Sequence, residues 1–126
     1  MVVFGAPQKL NNHENKAVEC SLKMKNQLKE LNTQWDNNKL SRYWKNHGID
    51  SITMRTGIHT GSVIAGNIGS PEMIQYSTIG DTVNVASRLE QANKKFNTEI
   101  SFSHEIYTAL EAVSYTHLTL PTKRIV

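Results

Sequence analysis

Hydrophobic residues recur at steps of three and four positions between about residues 11 and 31. They are Ala17, Cys20, Met24, Leu28 and Leu31, and lysines occupy the opposite face. This spacing puts the apolar side chains on one stripe and predicts an amphipathic helix. The next stretch, residues 32–50, is rich in Asn and Lys and is predicted to be an irregular connector. Its two tryptophans, Trp35 and Trp44, are expected to anchor that loop against the core.

Strand patterns fill much of the remaining sequence. Residues 1–5, M-V-V-F-G, predict a strand that ends at a glycine, and residues 98–102 predict another. Residues 52–60 alternate, which places Arg55 on the face opposite the apolar residues and open to solvent. Residues 62–68 and 74–79 are predicted to form a hairpin joined across Gly69, Ser70 and Pro71.

Two further helices complete the predicted elements. One begins at Asp81, in a capping position, and runs to about Asn93, and the last begins at Ser103 or His104 and ends at Leu110. The order β-α-β-β-β-α-β-α predicts an α+β fold with helices on one face of the sheet. The other face is expected to stay open for a partner or ligand. The segment 114–126, S-Y-T-H-L-T-L-P-T-K-R-I-V, departs from the earlier pattern.

Composition excludes several classes of protein. A chain of 126 residues with 38% hydrophobic content fits one small domain or part of one. A single cysteine and the lack of an N-terminal signal favour a reducing, cytosolic setting, although a full-length protein would be free to carry a membrane anchor elsewhere. The net charge of +3 depends on Lys123 and Arg124, and the rest of the chain is nearly neutral. Neither nucleic acid nor a membrane is therefore predicted as a partner of this segment.

The most specific motif lies in residues 54–90, M-R-T-G-I-H-T-G-S-V-I-A-G-N-I-G-S-P-E-M-I-Q-Y-S-T-I-G-D-T-V-N-V-A-S-R-L-E. Asn84 and Arg88 stand four residues apart on a predicted helix, so their side chains share a face. This stretch resembles, almost without a break, the core of the class III nucleotidyl cyclases, which make cyclic AMP or cyclic GMP from nucleoside triphosphates. The resemblance implies a ferredoxin-like antiparallel sheet, incomplete at both ends in this chain.

The resemblance also implies roles for four residues, of which Arg55, Asn84 and Arg88 are expected to converge on a triphosphate. Asn84 would hold the ribose, and Arg88 would stabilise the charged transition state at phosphorus. Arg55 would help to hold the β- and γ-phosphates, and Ser77 would read the purine edge, with a mild preference for adenine. Simpler interpretations stay open: a solvated helix surface for Asn84 and Arg88, a cross-strand ion pair for Arg55, and a small polar strand residue at Ser77.

Other polar residues are weaker candidates. Asp81 precedes a helix directly, which favours a capping role over metal binding. His59 has no acidic or serine partner nearby in the sequence, so a satisfied histidine at a strand end is favoured over a general base. The five histidines show no spacing typical of a zinc site.

The resemblance has gaps at both ends. The family uses two Mg²⁺ or Mn²⁺ ions held by two aspartates that lie upstream of the M-V-V-F-G segment, and this sequence contains neither aspartate. We therefore assign no metal ligand in this chain. Residues 1–113 are interpreted as a partial cyclase catalytic domain, and 114–126 as a tail outside the family pattern, either native or a sequencing artefact. The family's phosphate-binding lysine is not assigned to Lys123.

Three functions follow from the sequence. The leading hypothesis is a fragment of an adenylyl cyclase that converts ATP to cyclic AMP and pyrophosphate, as a homodimer or with another cyclase domain. The isolated chain is expected to be inactive. Alternatives are a guanylyl cyclase acting on GTP, or a non-catalytic module for dimerisation or regulation. An RNA-binding module is disfavoured because paired aromatic residues on central strands are missing.

Overall fold

The computed structural model describes residues 1–112, and eight elements follow one another in that range. They are α1 (His13–Asn37), α2 (Arg42–Lys45), β1 (Thr56–Ile58), β2 (Ile64–Ser70), β3 (Met73–Ile79), α3 (Asp81–Phe96), β4 (Ile100–Phe102) and α4 (His104–Ala112). The hairpin, the central helix, the strand before α4 and α4 itself were all predicted from the sequence pattern. The tail at 114–126, including Lys123, lies outside the described residues.

The first fifty-five residues differ most from the prediction. Residues 1–5 form no strand, α1 continues through Asn37, and α2 interrupts the predicted connector. The Asn32 side chain donates to the carbonyl of Ile52 at 2.8 Å and accepts from its N–H at 3.0 Å. Because both backbone groups of Ile52 are satisfied by a helix side chain, the chain there needs no strand partner. The ladder of β1 begins at Thr56, four residues later than the start of the predicted strand.

The described strands form two separate ribbons. β1 pairs with β4 in parallel, in the register of Thr56 with Ile100, because the connection through the hairpin and α3 returns the chain in the same direction. β2 pairs with β3 antiparallel, and Pro71 and Glu72 form the two-residue loop between Ser70 and Met73. Helices cover both faces of the β1–β4 ribbon, whereas the sequence predicted helices on one face.

The core lies between α1, α4 and one face of that ribbon. Its buried members are Val18, Ile58, Ile106 and Leu110. The face of α1 that packs here is centred on Val18, and of the stripe predicted from the sequence Ala17 packs against it. The predicted stripe residues Met24 and Leu31 are 41% and 37% exposed. Tertiary packing, rather than the longest apolar stripe, has set the orientation of this helix.

A buried asparagine ties α3 to both strands of the ribbon. Asn93, which is 1% exposed, donates from Nδ2 to the carbonyl of Thr56 at 2.9 Å. Its Oδ1 accepts from the hydroxyls of Thr98 and Ser101. One side chain thus satisfies polar groups from β1, from the loop after α3 and from β4. These hydrogen bonds set the distance between α3 and the β1–β4 ribbon.

The other fixed point between β1 and α3 is Gly57. A Cβ built on Gly57 would overlap backbone atoms of Ala86, Leu89 and Glu90. The strand and the helix are therefore in direct backbone contact, which only glycine permits.

Replacing Gly57 by alanine is expected to lower the free energy of unfolding by about 2–3 kcal/mol, because two backbones that are each held by hydrogen bonds must move apart. Chemical denaturation followed by circular dichroism measures this loss. Gly66→Ala is the matched control, since a Cβ at Gly66 meets nothing within 4 Å. Equal losses in the two variants would contradict the proposed overlap.

Candidate functional site

The outward face of α3 carries the predicted ribose and transition-state residues. Asn84 and Arg88 are both exposed, and neither side chain has a hydrogen bond or ion pair to any other residue within 1–112. Gln91 and Lys95 continue the same exposed stripe. One turn of helix separates Asn84 from Arg88, so the amide and the guanidinium lie on the same face of α3. A single ligand on that face could contact both groups.

The start of α3 is held in place by a threonine and a glycine. The Thr82 hydroxyl donates to the carbonyl of Ser62 at 2.8 Å, which attaches the first turn to the loop after β1. Gly80 is the N-cap residue, with φ at 151°, a value that favours glycine. The predicted capping role of Asp81 is wrong, since Asp81 is the first helical residue and makes no capping hydrogen bond. Its carboxylate still lies in the first turn, where the helix dipole favours an anion.

Arg55 lies just before β1 and is paired with Glu90 of α3. Its Nε lies 2.9 Å from Oε1 of Glu90, and the two side chains are 41% and 36% exposed. The prediction of an open sheet face is wrong here, because Arg55 alternates with Gly57 onto the face that α3 covers. Arg55 does form an ion pair, but with a helix residue, so the simpler prediction of a cross-strand ion pair is also wrong.

Arg55 and Arg88 lie on different sides of α3. Glu90 follows Arg88 by two residues, which places the two side chains about 160° apart around the helix axis. The edge that carries Glu90 borders β1, whereas Asn84 and Arg88 face away from it. Convergence of Arg55, Asn84 and Arg88 on one triphosphate stays a prediction, and within one chain the three side chains do not meet. The structure brings Asn84 and Arg88 together and separates Arg55 from both.

Ser77 lies on the hairpin, near the end of β3. It pairs in register with Gly66 of β2, and its side chain is half-buried. Within residues 1–112 its hydroxyl has no hydrogen-bond partner, so it is free to donate to or accept from a ligand. The next residue, Thr78, points to the opposite face and is buried. The role of Ser77 as a purine-reading residue stays a prediction.

His59 has partners that the sequence did not reveal. Its Nδ1 lies 2.7 Å from the Ser103 hydroxyl and 3.9 Å from a carboxylate oxygen of Glu105. The pKa of Glu105 is lowered, first by a hydrogen bond from its own backbone N–H and then by the Ser103 hydroxyl and the neighbouring histidines. A catalytic serine and its acid would contact opposite nitrogens of the ring, and here both contact Nδ1. The satisfied strand-end histidine predicted from the sequence is therefore the better description.

Residues 1–112 offer no ready site for a metal ion. No group of three or more His, Cys, Asp or Glu side chains in that range is arranged to hold one. The described residues thus do not fit the carboxylate site that two divalent ions would need. No helix of the same range combines the length and the apolar character needed to cross a bilayer.

Glu90 and Asn93 are the two residues of this region that the sequence interpretation missed. The i+3 spacing from Glu90 to Asn93 puts both on the side of α3 that packs on β1. That spacing was available in the sequence. Their partners on the strand side were not, because Arg55 and Thr56 lie more than thirty positions away.

Comparison with known proteins places this geometry in a family. The family model described as the adenylate and guanylate cyclase catalytic domain matches residues 1–123. Adenylate cyclase 1 of Rhizobium meliloti (strain 1021) is 35% identical over 98 residues, which cover 78% of this chain and 13% of that enzyme.

Two solved structures share the fold. The adenylyl cyclase CyaB from P. aeruginosa superposes with a TM-score of 0.66 at 33% identity, over 87% of this chain and 52% of that one. The guanylyl cyclase Cya2 gives 0.63 at 33% identity, over 86% of this chain and 48% of that one. The chain therefore spans about half the length of each solved relative. These similarities confirm the α+β class and the cyclase fold, and the chain belongs to the adenylate and guanylate cyclase catalytic domain family.

Proposed function

We propose that this chain forms part of a cyclase catalytic domain that converts ATP to cyclic AMP and pyrophosphate for intracellular signalling. The observation that carries the proposal is the pair Asn84 and Arg88, which share the outward face of α3 with no competing contact inside residues 1–112. Unpaired polar side chains also occur on any solvated helix, so the weight of the observation comes from its place: the pair lies inside the segment that resembles the cyclase core and inside the range that the family model matches.

The chemistry assigns a task to each side chain. Cyclisation is an attack of the ribose 3′-hydroxyl on the α-phosphorus, with pyrophosphate as the leaving group. The Asn84 amide can hold the ribose in the geometry of attack, which removes an entropic part of the barrier. The Arg88 guanidinium can give two donors to phosphate oxygens whose charge increases in the transition state. Arg55 would bind the β- and γ-phosphates, and Ser77 would contact the purine.

Separation of the arginines supports a site shared between two domains. Arg55 and Arg88 lie on opposite sides of α3, so one bound triphosphate would contact Arg55 of one domain and Asn84 and Arg88 of another. A homodimer, or a pair with a second cyclase domain, provides that arrangement. Each chain would then contribute to two sites.

Two divalent cations are part of the proposal for the complete enzyme only. They would supply charge neutralisation at the phosphates when bound. Their ligands would be aspartates outside this 126-residue chain, because the described residues offer no carboxylate cluster. Every step assigned above depends on this chain's own side chains.

Guanylyl cyclase activity is the second candidate. The observation in its favour is that the solved relatives include a guanylyl cyclase as well as an adenylyl cyclase, at equal identity. The Ser77 hydroxyl can donate a hydrogen bond to the base or accept one from it. It therefore gives adenine only a slight preference over guanine. A non-catalytic module is less favoured because Asn84 and Arg88 are both present.

Activity of the full-length protein with each nucleotide tests the proposal. With Mn²⁺ present, we expect cyclic AMP from ATP at a higher kcat/KM than cyclic GMP from GTP, measured by chromatography of the products. The isolated 126-residue chain is expected to form neither product. Turnover of GTP alone would select the second candidate, and robust turnover by the isolated chain would contradict the assignment of metal ligands to other segments.

A further inference from the structure

We propose that Glu90 is a positioning residue that orients the Arg55 guanidinium for phosphate binding. The inference rests on the proposed function, because it concerns how one half of that site is prepared. Its starting observation is the 2.9 Å contact between Nε of Arg55 and Oε1 of Glu90. The sequence assigned no role to Glu90.

The backbone around this pair is held rigidly. Gly57, two residues after Arg55, is in backbone contact with Ala86, Leu89 and Glu90 itself. Asn93, three residues after Glu90, is hydrogen-bonded to the carbonyl of Thr56. The backbone directly after Arg55 is therefore held against the part of α3 that carries Glu90. A carboxylate on such a frame limits the directions that a long arginine side chain can take.

The contact engages one particular edge of the guanidinium. Nε lies where the guanidinium joins the side chain. A carboxylate that accepts a hydrogen bond from Nε therefore lies along the side edge of the group. The two terminal nitrogens form a second edge, which faces in another direction and matches two phosphate oxygens. Glu90 can thus hold Arg55 while the end of the group binds a phosphate. An arginine free in solvent must lose rotamer freedom on binding, and an oriented one has already lost most of it.

Exposure sets the size of the expected effect. Both side chains are more than one-third exposed, so water and salt screen their attraction. The contribution to phosphate binding should therefore be about two- to fivefold in affinity, the range measured for exposed ion pairs. The effect should appear in binding of the leaving-group phosphates and not in the chemical step.

The test measures the binding of inorganic pyrophosphate to the full-length protein by calorimetry, together with KM and kcat for cyclisation. Glu90→Gln is expected to raise the Kd for pyrophosphate and the KM by about two- to fivefold, with kcat changed by less than about 1.5-fold. In an Arg55→Ala background the same change should have no further effect, because the residue acts only through Arg55. Thermal unfolding of each variant checks that the fold is intact.

Glu99→Gln is the matched control. Glu99 forms an ion pair with Lys25 at 3.1 Å, with both side chains 46% exposed. Its backbone carbonyl accepts from the N–H of Thr56 at 2.8 Å, a bond that the side-chain substitution leaves in place. We expect its Kd for pyrophosphate to equal that of the unchanged protein. If Glu90→Ala weakens binding more than Glu90→Gln, the carboxamide retains part of the orientation, as proposed.

Several outcomes would overturn the inference. Tighter pyrophosphate binding by Glu90→Gln would show that Glu90 competes with phosphate for Arg55. The inference would also be overturned if Glu90→Gln weakened pyrophosphate binding equally in the Arg55→Ala background, or if it lowered kcat alone. A third contradicting result would be pyrophosphate binding that does not depend on Arg55. Failure of the proposed function would look different: the full-length protein would make no cyclic nucleotide, while pyrophosphate binding still depended on Arg55 and Glu90.

Discussion

Replacing Arg88 by alanine in the full-length protein is expected to lower kcat for cyclic nucleotide formation by about 100- to 1,000-fold. The exposed guanidinium has no partner within residues 1–112, so its removal leaves no buried group unsatisfied and should not disturb the fold. Its strongest interaction is expected with the charge that develops at phosphorus. KM should therefore change by less than about threefold, which steady-state kinetics with the preferred nucleotide will measure.

Two further variants test why an arginine is needed at this position. Arg88→Lys keeps the charge but loses the planar pair of donors, and an intermediate kcat is expected. Lys94→Ala removes another exposed cation from α3 and should leave kcat unchanged. Equal losses of kcat in Arg88→Ala and Lys94→Ala would point to a general effect of positive charge. A rise in KM that matched the loss in kcat/KM would show that Arg88 binds the ground state and the transition state equally.

Asn93→Ala is expected to lower the free energy of unfolding by about 3–5 kcal/mol, more than the loss expected for Gly57→Ala. The change leaves the carbonyl of Thr56 and the hydroxyls of Thr98 and Ser101 without their hydrogen-bond partner. Ser101 is 2% exposed, so water does not easily replace the lost acceptor. Urea denaturation of the 126-residue chain, followed by circular dichroism, measures the loss.

Gln91→Ala serves as the control for Asn93. It lies on the same helix, is exposed, and replaces a good helix former by a better one. Its free energy of unfolding should stay within about 0.5 kcal/mol of that of the unchanged chain. If Asn93→Ala lost less than about 1 kcal/mol, the cluster would have to be re-satisfied by water or by a shift of α3.

Local geometry explains which features the sequence could predict. Asn84 and Arg88 share a face because both belong to one helix, and their spacing is enough to establish that. The β2–β3 hairpin followed from two apolar runs separated by turn residues. In both cases the interacting residues lie within a few positions of each other, so short-range periodicity is enough to predict the structure.

Features that depend on distant partners could not be read in this way. The backbone of Ile52, predicted to lie in a strand, bonds instead to the side chain of Asn32, twenty positions away. The Ser103 hydroxyl that contacts His59 is 44 positions away. The orientation of Arg55 depends on where α3 crosses β1. Alternation placed Arg55 on the same face as Gly57 correctly, but no local pattern shows that a helix covers that face. Tertiary contacts decided each of these points.

The backbone contact at Gly57 has a mechanical consequence for the proposed two-domain enzyme. β1 and α3 are packed backbone against backbone, with one arginine on each flank, and a helix about 10 Å across separates the two flanks. Bending of side chains or loops cannot bring the two flanks of one domain together. Assembly of a working site would then be governed by the rotation of one domain against the other, and a regulator could switch catalysis by turning whole domains without altering the interior of either.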